Sequence, residues 1–157
     1  MRSILEYFNK LNRNQLVLES IENKKQMYRS GPVQNIKMFN PRNSSKSHNK
    51  LFKNKQIIYA TDNISYAAGF CFEWSDDEGF KFGRYNNGPW TLEIPKKYKN
   101  RLNQKCSMYE VNNKPFKKIN IKTPEYYSTE PVKVIKETKF KSCYDCLKKY
   151  NVVLKIK

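Results

Sequence analysis

Acidic side chains, histidine and glycine are all scarce in this chain, and each shortage narrows what the chain can be. Of 157 residues only 14 are Asp or Glu, against 31 Lys or Arg, which leaves a formal net charge of +17. A surplus of that size draws polyanions, nucleic acid first and acidic membrane surfaces second. Lysine outnumbers arginine, and lysine meets phosphate as a point charge, so the expected contribution is affinity and steering without base readout. The abundance of Lys and Asn also follows from the A-rich codons of an AT-rich genome. His48, the single histidine, sits in a polar stretch and leaves no acid–base pair for a basic ribonuclease. Glycine numbers only 5 while aromatics reach 14%, a composition that argues against disorder. No apolar run approaches the roughly 20 residues of a membrane-spanning helix. Glu6, Asn9 and Lys10 interrupt the N-terminal stretch, which therefore lacks the apolar segment of a secretory signal.

Cysteine is sparse as well. Cys71, Cys106, Cys143 and Cys146 are too few and too unevenly placed for a secreted disulfide framework, which points to a reducing, intracellular setting. Cys143 and Cys146 form a CxxC with no second pair. A zinc site would need that pair plus two isolated cysteines far apart in sequence; the simpler reading sets both sulfurs on one helix face beside Leu147 as small core residues. No metal ligand set is assigned.

The length suits one core. We expect an N-terminal helical appendage over 1–25 and a single α+β domain over 26–157. Ile4, Leu5, Phe8 and Leu11 recur at helical spacing within 3–23. The densest core signal is the stretch 56–74, QIIYATDNISYAAGFCFEW. Ile57, Ile58 and Tyr59 favour a buried strand. Thr61 or Asp62 is positioned to cap a helix, and Ile64, Ala67, Ala68, Cys71 and Trp74 give that helix one apolar stripe.

Around it, a strand at 27–30 ends at Gly31-Pro32. The stretch between Glu22 and Asp62 holds nine Lys or Arg and no acid, so the basic region 24–55 is the expected contact for nucleic acid or another polyanion. Glu73, Asp76, Asp77 and Glu78 read as a solvated turn, since calcium loops space their ligands at alternating positions. Trp90, Leu92 and Ile94 alternate as a half-buried strand ending at Pro95. Further strands are expected at 107–111, at 117–122, at 126–135 broken by Pro131, and at 152–156. Phe140, Cys143, Tyr144 and Leu147 mark a helix.

Three segments, in order, resemble the motif series of the ADP-ribosyltransferase superfamily. Tyr28-Arg29-Ser30-Gly31-Pro32 resembles its first motif and looks like the Tyr-His-Gly-Ser-Pro opening of uncharacterised bacterial and viral members, with Arg29 where His would stand. Tyr59-Ala60-Thr61 and the helix after it resemble the second, and Pro124-Glu125-Tyr126-Tyr127-Ser128 the third; together they span 26–136. The resemblance implies a split β-sheet that grips NAD in a cleft. It also implies Arg29 and Ser30, with Tyr59 and Thr61, as the cofactor-binding residues and Glu125 or Glu130 as the catalytic carboxylate. The implied activity is ADP-ribosyl transfer to a nucleic acid or protein. The other expectation is a non-catalytic basic module of the same fold, binding nucleic acid or serving in a viral or mobile-element particle. Either way the chain is expected to be intracellular or packaged in a particle.

Overall fold

A computed structural model describes residues 25–43, 55–119 and 123–157. The expected N-terminal helix and residues 44–54 of the basic stretch lie outside the described residues. What is described is α+β and largely antiparallel. Strands β1 (Met27–Gly31), β2 (Met38–Phe39), β3 (Arg42–Asn43) and β4 (Gln56–Thr61) precede the helix α1 (Ile64–Ala68). Strands β5 (Lys81–Gly83), β6 (Thr91–Ile94), β7 (Cys106–Val111), β8 (Lys117–Lys118), β9 (Glu125–Ser128) and β10 (Val132–Phe140) follow, and helix α2 (Cys143–Lys149) leads to β11 (Val153–Ile156).

The larger sheet runs β2-β10-β7-β1-β4-β9-β8, with β3 also on β4. The smaller runs β11-β6-β5, and β11 lies parallel to β6. Side chains alternate across a strand, so the larger sheet builds two cores. On one face Met27, Ile58, Ala60, Tyr109, Val111, Phe116 and Val132 bury together, with Phe39 and Tyr126 against them. On the other, Met108 and Cys106 join Ala67, Ala68, Cys71, Phe72, Leu92, Ile94, Cys146 and Leu147, so both helices and the smaller sheet cover that face. Among the described residues no helix is long and apolar enough to cross a membrane.

Several boundaries differ from expectation for local reasons. The helix after β4 stops at Ala68 instead of running to Trp74, and its cap is Asn63, whose side chain accepts from the Tyr66 N–H at 3.0 Å. Past Gly69 the chain continues in turns that still bury Cys71 and Phe72, while Trp74 Nε1 donates to the Gly69 carbonyl at 2.7 Å. The stretch 126–135 is two strands rather than one: β9 pairs with β4 and β10 with β7. A register shift between Val134 and Lys136 carries β10 on to Phe140, which ends that strand instead of opening the helix. The acidic turn is a 3-10 segment, Asp76–Glu78, where Glu78 pairs with Arg101. Gly79 leaves it at φ +99°, a conformation that suits glycine.

Candidate functional site

Strand β4 lies between the strands that carry the other two motif segments. Tyr28 of β1 faces Thr61 across one edge, and across the other Thr61 faces Glu125 and Tyr59 faces Tyr127 of β9. Residues two apart share a face, so Tyr59, Thr61 and Glu125 point the same way. Burial raises the Tyr59 hydroxyl above its ordinary pKa, and the Glu125 charge adds to the shift. On that face α1 crosses β1, and Ser30 Oγ donates to the Ala67 carbonyl. The Tyr66 hydroxyl donates to Glu125 Oε1; burial first, and that bond second, push the phenol well above its usual range. Thr61 Oγ1 accepts from the Asn63 N–H at 3.1 Å.

An aromatic wall continues from Tyr66. Its ring lies 4.8 Å from Trp90 and 5.1 Å from Phe70, edge on, and 5.5 Å from Phe82. Trp90 is half-buried with Arg84 Cζ 4.8 Å over its ring, and its Nε1 has no hydrogen-bond partner among the described residues. Phe70 stacks on Trp74 at 5.6 Å. Trp74 in turn borders a shallow groove of about 630 Å³, lined also by Pro32, Glu73, Ser75, Glu78, Arg101 and Gln104. That groove lies past the end of β1, away from Glu125, and the row of rings joins the two.

Arg29 leaves β1 on the opposite face. Its neighbours Tyr28 and Ser30 face the helices, while Arg29 pairs in register with Tyr109 and its Cζ stands 4.9 Å over the Phe39 ring. The guanidinium still reaches β4. Among the described residues β1 and β4 share one bridge, Tyr28–Thr61, and β3 pairs with β4 at Gln56 and Ile57. Between those contacts the Tyr59 carbonyl accepts from Arg29 Nη1 at 2.7 Å. Burial, with Arg42 second, lowers Arg29 to about 10, so it stays charged at neutral pH.

The geometry therefore gathers Ser30, Tyr59, Thr61 and Glu125 on one face and sets Arg29 behind them. Glu130 is apart: Glu125–Ser128 alone spans about 10 Å, and Glu130 sits exposed in the turn beyond, its N–H bonded to Ser128 Oγ at 3.0 Å. No family model matches the chain, nor does any curated protein or solved structure. Sequence reasoning missed Tyr66, Phe70, Phe82 and Trp90. Tyr66 falls off the apolar stripe of its helix, which was the available hint that it points at something other than the core.

Proposed function

We propose that the chain is an ADP-ribosyltransferase-like protein that takes NAD where β1 and β4 part and transfers ADP-ribose to a nucleic acid or protein acceptor. The observation that carries the reading is adjacency: the three motif strands, distant in sequence, lie side by side as β1-β4-β9. The side chains from them that the motifs single out, Arg29 apart, converge on the face that holds the Tyr66–Glu125 bond. When bound, NAD supplies the ribosyl donor and nicotinamide as leaving group. Glu125, oriented by Tyr66, offers a fixed carboxylate where positive charge develops. Tyr59 and Tyr66 offer flat faces to the nicotinamide ring, and the buried Trp90 Nε1 is a donor that its carboxamide oxygen would satisfy. Ser30, already committed to Ala67, holds α1 on β1. Arg29 acts through the Tyr59 main chain as a positioning residue.

The test is transfer of label from labelled NAD to nucleic-acid and protein acceptors. Wild type should label an acceptor, and Glu125→Gln, folded by circular dichroism, should not. A wild type that labels nothing sinks the transferase reading.

The charge favours a second reading, a non-catalytic module of the same fold that binds nucleic acid, as in a viral or mobile-element particle. Lys133, Lys136 and Lys139 stand exposed along β10 in a chain of net charge +17. Its affinity for nucleic acid should fall steeply with salt and be indifferent to Glu125→Gln; binding that is absent or insensitive to salt removes it.

A further inference from the structure

Every cysteine of the chain arrives at one point. Cys71 follows α1, Cys106 opens β7, and Cys143 and Cys146 lie on one face of the first turns of α2. All four have 0% exposure and none forms a disulfide. The sulfurs of Cys71, Cys106 and Cys143 lie within 4.8 Å of one another, and Cys146, three residues along the same helix from Cys143, is buried in the same cluster. The segments are also tied through their main chains. Cys143 N–H donates to the Gln104 carbonyl at 2.7 Å, and the sulfurs of Cys71 and Cys143 face each other's carbonyls at 4.0 and 3.6 Å.

Cysteine does serve as a small apolar core residue, but that role gives no reason to gather every copy from three separate segments with the sulfurs facing inward. A tetrahedral metal site does. Four thiolates at about 2.3 Å from zinc stand about 3.8 Å apart, so the three sulfurs already within 4.8 Å of one another need only a small contraction, and Cys146 Sγ closes on them to complete the set. The objection raised by the sequence, that two of the four cysteines are isolated, disappears once the fold brings Cys71 and Cys106 to the pair.

We propose that Cys71, Cys106, Cys143 and Cys146 bind one zinc ion as four thiolates, in a closed structural site. No electrons move: the ion displaces four thiol protons to solvent and leaves a centre of net charge −2 inside a cationic chain. With no open position the ion has no substrate to activate. Its role is to pin the turn after α1, the start of β7 and α2 together, and so to hold α1, which carries Tyr66, against the larger sheet. Sulfur-only tetrahedral sites take zinc or iron, and the test separates them.

The full chain, purified under reducing conditions and reconstituted with zinc, should carry one zinc per chain by elemental analysis. Cobalt(II) in its place should show intense tetrahedral d–d absorption and a thiolate charge-transfer band. Displacing the zinc with an organomercurial in the presence of a chromogenic chelator should release one equivalent, and the melting temperature should fall on the order of 10 °C. Cys146→Ser should weaken the cobalt charge-transfer band if it folds; the wild-type measurements stand whether or not it does. A chain that takes up no zinc and leaves cobalt with its aqueous spectrum, one that holds the four sulfurs as two disulfides, or one that retains iron instead, overturns the assignment.

Discussion

Replacing Gly69 with alanine separates a backbone effect from a packing effect at the base of the aromatic wall. Gly69 has φ −60° and ψ −15°, ordinary right-handed values that alanine adopts freely. On backbone grounds alone Gly69→Ala should stabilise by about 0.4–1 kcal/mol, by restricting the unfolded chain. Packing argues the other way. A Cβ at Gly69 would overlap the Phe82 ring, with Cε2 at 2.5 Å and Cε1 at 2.6 Å. The ring cannot withdraw without disturbing Trp90 at 5.3 Å, Phe70 at 5.4 Å and Tyr66 at 5.5 Å. Overpacking of this kind costs about 1–3 kcal/mol, so the net expectation is a loss of about 0.5–2 kcal/mol. In a chain of this length that lowers the melting temperature by about 1–8 °C. Urea unfolding followed by tryptophan fluorescence should show a lower midpoint at unchanged slope. In a Phe82→Leu background, where the blocking ring is gone, the same change should cost less or turn favourable. A stabilised single variant would refute the packing, and with it the reading of Gly69 as the place where the wall closes on α1.

Two further expectations concern the polar contacts around the site. Arg29→Lys loses the guanidinium fork that reaches the Tyr59 carbonyl and its place over Phe39; it should cost about 1–3 kcal/mol by chemical unfolding, and an unchanged midpoint would show that the gap between β1 and β4 needs no such tie. Glu137 gives a pH dependence. Burial alone would raise its carboxyl, but bonds from Ser107 Oγ at 2.6 Å and the Asn35 N–H at 2.9 Å hold it below the ordinary 4.5. Its contribution is therefore full above about pH 4.5 and is lost as pH falls through the lower folded value. The stability gap between wild type and Glu137→Gln should be widest near neutrality and narrow in acid; a gap independent of pH would contradict the assignment.

Much of the fold was legible where local chemistry decides it. The run Ile57, Ile58 and Tyr59, the stop at Gly31-Pro32 and the alternation of Trp90, Leu92 and Ile94 each announce an element without reference to the rest of the chain. Elements held mainly by pairing were harder. The end of β10, Lys136–Phe140, has charged residues at three of its five positions and is a strand because β7 pairs along it. The stripe from Ile64 to Trp74 promised a longer helix because turns after Gly69 bury the same side chains. The site divides in the same way. Tyr59, Thr61 and Glu125 could be named from short motifs, whereas the face on which Arg29 emerges depends on strand register. The meeting of Tyr66 with Glu125, 59 positions apart, depends on how α1 crosses the sheet. The four cysteines make the same point, since spacing along the chain argued against the cluster that the topology creates.

Calorimetric titration of the full chain with NAD decides whether the dinucleotide is taken where β1 parts from β4. The expected result is one saturable site that survives an increase in salt, is retained in Glu125→Gln, and is lost in Tyr59→Ala with the chain still folded. Heats that never saturate, or binding that disappears as salt rises whatever the variant, would contradict it and leave the cationic surface as the chain's ligand-binding feature.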